Sequence, residues 1–483
     1  MNRIVGLETE YGCLTTDPAG SPPVVARTRN WIFENHRLGL ADVHQRDWDE
    51  PAGNGGFLFN GGRAYVDMGH MEYCTPECQS LRDLIAFDRA GDRMLHHAIQ
   101  GLGLSSLAGF IRNNVDHYSG ATFGCHENYL VRRGAPLNDR TIYALLGFLT
   151  LRVLYTGAGR VGGMSHGDVS LRTEAPGASE IPTPVFQISQ RADYINNDLF
   201  EWVQFNRAII NTRDEPLADP SRFRRLHLIH GDSNVLPFAL FLKAGTTSLV
   251  LDLLEIDQIP TLSLADAVAS FREISVRPHG PWNVRTEETG ETPALDLLRK
   301  YWEAAHRFFA RRDRETDDVL EAWGQTLDAL QRNPEELVGR VDWITKQWLL
   351  RQFVEHEGVP WNDPVLRSLD LEYHHLDPKR GLGLASETPD PRWTPQETEI
   401  EQALNHPPAN TRASIRSRVM DSLRRADRSY CVDWEVIDAD GLPSLHMINP
   451  FDSDSSAAQR WLQSWTVSPA PARPARPGPE PLV

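Results

Sequence analysis

An α+β fold is predicted by three features of the chain. Residues 2–12 alternate, with Val5, Leu7, Thr9 and Tyr11 set against Ile4, Gly6, Glu8 and Glu10, the period of a half-buried strand. Residues 79–101 carry Leu81, Leu84, Ile85, Met94, Leu95 and Ile99 at helical spacing. Residues 294–357 read as mostly helical, and Val319, Leu320, Trp323, Leu327 and Leu330 fall on one stripe.

Between these anchors the elements follow in order. Residues 14–62 are rich in Gly, Pro and Asp, with a helix expected near 29–38, and 63–67 reads as a second strand. Residues 107–132 suggest a hairpin around Asn113–Gly120, and 140–155 is an apolar segment of ambiguous type. Residues 162–183 have loop composition, and strands are expected at 207–212 and 225–230. Pro407-Pro408 breaks the chain before a short amphipathic helix carrying Ile415, Val419, Met420 and Leu423, followed by a strand at 429–436. The division expected is a main body over 1–399, a small C-terminal unit over 400–466 and a Pro-rich disordered tail over 467–483.

Composition bounds the function. The 483 residues include 66 acids against 49 Lys and Arg, a formal charge of −17. Nucleic-acid binding needs a basic surface, and an anionic membrane repels this balance, so neither is expected as a partner. No uninterrupted apolar run approaches a membrane span, and MNRIVGLETEYG places glutamates where a signal peptide needs apolar residues. Cys13, Cys74, Cys78, Cys125 and Cys431 are an odd, sparse set. They are expected to be buried free thiols in a reducing cytoplasm, and the Cys74/Cys78 pair lacks further zinc ligands at suitable spacing.

Two motifs match a pattern and fail its context. Gly157-Ala-Gly159-Arg-Val-Gly162 fits GxGxxG, but a dinucleotide site needs a helix directly after it, and a Gly/Ser/Pro loop follows. A dinucleotide-dependent oxidoreductase is therefore a distant alternative. Gly163-Met-Ser165-His-Gly167 fits GxSxG without the strand and helix of a nucleophile elbow.

The chemistry concentrates in the strands. Glu8 and Glu10 are two apart on one strand face, roughly 7 Å from each other. Like charges so placed are unfavourable without a cation between them. Arg63, Tyr65 and Asp67 share a face of the second strand, and Glu72 follows. If both strands belong to one sheet, four carboxylates, a phenol and a guanidinium converge. Carboxylate oxygens suit Mg²⁺, with phosphates completing its shell, which is the apparatus of ATP chemistry without a P-loop. The plainer reading is a surface hairpin with a salt bridge from Arg63. His126 and Asn128 share a strand face, and Ser189-Gln-Arg191, Asn211-Thr-Arg213 and Arg222-Phe-Arg224-Arg225-Leu-His227 supply local positive charge.

Taken together, GLETEYG (6–12), NGGRAYVD (60–67), EYCTPEC (72–78), NNVD (113–116), GCHENYL (124–130), QISQRADYI (187–195), INTRDEP (210–216), RRLHLIHGDSN (224–234) and VDW (432–434) resemble the Pup ligase/Pup deamidase family, in its order and over nearly the whole chain. The resemblance implies a glutamine-synthetase-like fold, a curved antiparallel sheet cradle packed by helices with a small C-terminal domain. It implies an ATP- and Mg²⁺-dependent ligase that phosphorylates the C-terminal glutamate side chain of Pup or a Pup-like modifier and passes the acyl group to a lysine of a target protein, tagging it for the bacterial proteasome. By motif, Glu8, Tyr65 and Glu72 resemble the Mg²⁺ ligands, with Glu10 and His126 as weaker candidates. Asp67 resembles the base that deprotonates the incoming lysine, and Arg63, Thr75 and Trp434 resemble nucleotide contacts.

The ligase branch is favoured over the deamidase (depupylase) branch. Residues 14–62 are too short for the deamidase's extra loop, and GLETEYG and GCHENYL are ligase-like. Against this, Asp67 to Glu72 is one residue shorter than in typical ligases, and TGAGRVG with FQISQRADYI leans to the deamidase. The chain resembles the divergent branch of the family that uses a Pup-like modifier.

Overall fold

The N-terminal alternation becomes the central strand of a ten-stranded sheet. A computed structural model describes residues 3–46, 50–117, 121–163, 185–201, 207–425, 429–454 and 456–467. The early strands are β1 (Val5–Thr15), β2 (Gly39–Ala41), β3 (Gly55–Leu58), β4 (Arg63–Asp67), β5 (His70–Cys74), β6 (Ala108–Ile111) and β7 (Cys125–Arg132). A small ribbon pairs β8 (Arg160–Val161) with β9 (Phe186–Gln187). Then come β10 (Asn197–Phe200), β11 (Ala208–Asn211) and β12 (Phe223–Leu228). The main sheet runs β10-β11-β12-β7-β1-β5-β4-β3-β2, with β6 on the distal half of β1. Its ladders are antiparallel except β10 with β11.

Alternation along β1 divides the sheet's two faces. Val5 and Leu7 are buried with Tyr129 and Val131 against helices Leu81–Gly101, Asp139–Leu151 and Pro237–Glu255. Burying each such apolar side chain stabilises the fold by about 1.5–3 kcal/mol. Gly6, Glu8 and Glu10 point the other way and are only half-buried.

Several expectations are sharpened. The ambiguous segment at 140–155 is helical, over Asp139–Leu151 and then Val153–Thr156. It is buried nearly all round, which erased its amphipathic signal. The helix expected near 29–38 starts earlier, as Ser21–Asn30 continued by a π-helical turn at Trp31–Asn35. The hairpin expected over 107–132 forms only near its tip, where Val115 and Thr122 bridge antiparallel and the Asp116 N–H donates to the Ala121 carbonyl, while its flanks part. β6 pairs with the far half of β1 (Gly12–Thr15) and β7 with the near half (Val5–Thr9), so one long strand carries both. The block at 294–357 resolves into helices Ala294–Phe309, Arg314–Arg332 and Asp342–Glu357, with the predicted stripe buried.

Pro237–Glu255 is long and apolar enough to cross a membrane by length and composition, which the sequence reading passed over. It lies 94% buried inside the fold as its core helix. Cys74, Cys78 and Cys125 are buried and free as expected, whereas Cys13 and Cys431 are free but only half-buried.

The C-terminal segment builds helix Ala413–Leu423, strands Tyr430–Val432, Val436–Ala439 and Leu445–His446, and helix Ser456–Val467. Its apolar cluster takes in Leu40 of β2 and Phe57 of β3, so this unit sits on the edge of the main sheet. The boundary expected at 400 falls within helix Glu397–Asn405. The GxSxG serine and most of the Pro-rich tail lie outside the described residues.

Candidate active site

Strand register brings the polar residues onto one face. Glu8 lies opposite Cys74 on β5 and His126 on β7, and Glu10 lies opposite Glu72. Arg63 pairs with Cys74, Tyr65 with Glu72, and Asp67 with His70. Asn128 pairs with His227 on β12. Because strand side chains alternate, these residues share the half-open face opposite the helices.

Among the described residues two clusters bring ligand atoms within 4.8 Å of one another: Glu8 with His126 and His227, and Glu10 with Asp67 and Glu72. In the first, Asn128 Nδ2 donates to Glu8 Oε1 at 2.8 Å, and His126 Nδ1 lies 3.2 Å from Oε2. His227 Nε2 is 3.6 Å from the same oxygen, and neither ring nitrogen of this buried histidine has a hydrogen-bond partner among the described residues. Burial alone would raise the Glu8 carboxyl, but the His126 and His227 imidazoles hold it well below the usual carboxylate range. Burial lowers the His227 pKa, which leaves its ring lone pair available.

In the second cluster Glu72 is buried, and desolvation together with the Glu10 and Glu8 charges pushes its carboxyl well above the ordinary value. The Tyr65 hydroxyl, hydrogen-bonded to Glu72, opposes that shift. Burial and the Glu72 charge raise Tyr65 itself, so the phenol stays protonated. Three converging carboxylates, one of them buried, fit a hard divalent cation, whose charge relieves their repulsion. Asp67 stands at the end of β4, where Met68 (φ 45°) and Gly69 (φ 90°) make the two-residue turn to β5. Positive φ at both central residues matches the twist of such a hairpin.

The predicted nucleotide contacts line one cavity of about 420 Å³ together with Glu8 and Tyr65. Arg63 stacks 4.2 Å from the Tyr65 ring and pairs with Glu50 at 2.5 Å and Asp42 at 3.1 Å. Thr75 Oγ1 accepts the Leu7 N–H at 3.0 Å, which pins it beside β1. Trp434 comes from the C-terminal unit and meets Phe57 edge-on at 4.9 Å. Buried Glu77 fastens that unit to the sheet through Arg412 Nε and Arg416 Nη2, both at 2.7 Å. Arg416 also donates to the Trp434 and Gly61 carbonyls. A larger cavity of about 560 Å³, near Trp282 and Trp348, contains neither carboxylate cluster.

Further residues shape the site, among them Arg191, which the sequence marks as local positive charge. His227 ends a basic run in the sequence, and the β7–β12 register makes it a partner of Glu8. Its signal was the i, i+2 spacing from Arg225, whose Nη1 reaches 3.8 Å from Glu8 Oε1. Gly124 is tied to its place: a Cβ there would meet Glu10 Oε1 at 2.6 Å and His126 Nε2 at 2.7 Å. Arg191 is buried, donates to the Phe123 carbonyl at 2.7 Å, and is lowered to about 10 by burial and the nearby Arg207 charge. Both arginines act electrostatically on Glu10.

The GxGxxG segment serves the fold. The motif's own Arg160 and Val161 form strand β8, paired with β9, and not a turn into a helix. The Ala158 N–H is bound by buried Asp232, and the Gly159 carbonyl accepts from Lys346 and Gln190. Its backbone polar groups are thus engaged inside the protein, which removes the dinucleotide reading.

An enzyme with clustered carboxylates on a sheet face beside a polar cavity is the class that this fold and site define. Comparison places the chain within that class. A family model described as Pup-ligase protein matches residues 3–438, and the chain belongs to that family. The Pup--protein ligase of Acidimicrobium ferrooxidans is 36% identical, covering 96% of this chain and 98% of that protein. The depupylase of Acidothermus cellulolyticus is 33% identical over 93% of each. Among solved structures, the complex of the prokaryotic ubiquitin-like protein Pup with its ligase PafA matches with TM-score 0.80 and 31% identity, over 96% of this chain and 93% of that one. PafA in complex with ADP matches with TM-score 0.75 and 31% identity, over 95% and 96%.

Proposed function

We propose that this protein joins the C-terminal glutamate side chain of a Pup-like modifier to lysines of target proteins with consumption of ATP, marking them for a bacterial proteasome. The observation that carries this reading is the placement of Asp67, Glu10 and Glu72 on the same sheet face as a cavity lined by Arg63, Thr75 and Trp434. Similarity to named Pup--protein ligases and to PafA bound to Pup and to ADP supports it.

In this reading Arg63, Thr75 and Trp434 hold the nucleotide. Glu8, Tyr65 and Glu72 would hold Mg²⁺, with Glu10, His126 and His227 close enough to share the task. Bound Mg²⁺ would offset the phosphate charge that an acidic protein otherwise repels. Arg191 and Arg207 add positive charge that interacts with Glu10. Asp67, at the open end of β4, takes the proton from the incoming ammonium, because only the neutral amine attacks. The main body over 1–399 would supply the sheet, and the unit over 400–466 would close the cavity with Trp434. Reduced cysteines and dependence on ATP favour a cytoplasmic setting.

Depupylation by the same site is the second reading, favoured by the depupylase relative of similar coverage. Incubation with Pup, Mg-ATP and a lysine-bearing protein separates the two. Conjugates with ADP release support the ligase; cleavage of a preformed conjugate without net ATP use supports the depupylase.

A further inference from the structure

Lysine is ordinarily among the commonest residues of a soluble protein. Here only Lys243, Lys300, Lys346 and Lys379 occur among the 49 Lys and Arg residues. Two of the four are sealed in the core. Lys243 is fully buried with Nζ donating to the Asp232 carbonyl at 2.7 Å. Lys346 is 1% exposed, and its Nζ is held by Asp370, His374 and the Gly159 carbonyl. Lys300 and Lys379 alone present their amines to solvent.

Arginine's geometry explains its use in buried pairs such as Arg152–Glu127 and Arg416–Glu77. That account does not extend to exposed arginines such as Arg314, Arg332 and Arg425, paired at the surface with Asp318, Glu336 and Asp421. There lysine serves about as well, since such pairs contribute little either way. What distinguishes the two residues on the surface is nucleophilicity. A guanidinium does not lose its proton in a protein, whereas a lysine ammonium does when a base accepts it.

We infer that the chain's surface is arginine-based so that the enzyme escapes its own reaction, with self-conjugation confined to Lys300 and Lys379. This rests on the ligase reading above. In that reaction Asp67 takes one proton from the lysine ammonium, the neutral Nζ attacks the acyl-phosphate carbonyl, the C–N bond forms, the C–O bond to phosphate breaks, and inorganic phosphate departs with the second N–H proton. Any exposed lysine on a second copy of the enzyme would compete with targets for the activated modifier, and arginines would not.

The test uses the full chain with Pup, Mg-ATP and a lysine-rich target protein in one tube, read by intact mass and peptide mapping. The expected result is abundant target conjugate, with enzyme lysine conjugates at Lys300 and Lys379 only. Lys300→Arg with Lys379→Arg should abolish them and leave target ligation unchanged. Arg314→Lys, Arg332→Lys and Arg425→Lys together should raise self-conjugation several-fold at the new lysines, with circular dichroism confirming the fold. A triple variant no more self-modified than its parent, or conjugates mapped to Lys243 or Lys346, overturns the inference. Absence of conjugates on the target overturns the ligase reading, and this inference with it.

Discussion

Glu10 and Glu72 stand directly opposite each other across β1 and β5, and with Asp67 their oxygens lie within 4.8 Å of one another. Burial and the Glu10 charge push Glu72 upward, so the cluster is unfavourable until a cation joins it. Glu72→Gln is expected to raise the Mg²⁺ concentration for half-maximal ATP turnover by at least about tenfold. Titration of turnover against Mg²⁺ checks this, and an unchanged midpoint removes Glu72 from the metal site.

Asp67 lies in the same carboxylate cluster as Glu72, and its assigned role as proton acceptor predicts a different response. Asp67→Asn keeps size and hydrogen bonding but cannot accept the lysine proton. Ligation is expected to fall by about 10²–10⁴-fold, with nucleotide affinity nearly unchanged. Calorimetric ADP binding beside a conjugation assay separates the two effects.

Gly124→Ala probes the close approach of β7's entry to the site. The added methyl would press on Glu10 Oε1 and His126 Nε2, the movable ends of two side chains. Stability should change by about 1 kcal/mol or less, because such ends swing aside. Turnover should fall clearly, because those ends belong to the candidate metal site. Thermal unfolding and kcat measured on one preparation give the comparison.

Acid should loosen the C-terminal unit. Burial alone would raise Glu77, but the charges of Arg416 and Arg412 lower it from its ordinary 4.5 to about 2. A depressed carboxylate stabilises the fold above its unfolded pKa. That contribution, on the order of 3 kcal/mol, is lost as pH falls from about 4.5 toward 2. Glu77→Gln should remove this part of the acid dependence, and should cost about 3–5 kcal/mol near neutrality by stranding two buried arginines. Denaturant unfolding of both proteins between pH 2 and 7 measures it.

Much of this site could be read from the chain because strands have a period of two. Glu8 and Glu10 on one face, and Arg63, Tyr65 and Asp67 on another strand, needed only alternation, and β4 occupies the predicted residues. Strand order is not local. Nothing near His227 announces that β12 lies beside β7, so its partnership with Glu8 emerged only from the register. The same limit applies at 107–132: the local bridge of Val115 with Thr122 forms as expected, but the flanks β6 and β7 each pair with β1, because local pattern does not choose a strand's partner. Apolar runs buried nearly all round, as in Asp139–Leu151, lose the contrast that periodicity needs.

The account stands most directly on one assay. The protein is incubated with Pup ending in glutamate, Mg-ATP and a lysine-bearing target, with conjugate and ADP followed together. One isopeptide-linked conjugate per ADP released is expected, and none with Asp67→Asn. Cleavage of a preformed conjugate with no ADP released and no new conjugate formed would contradict it.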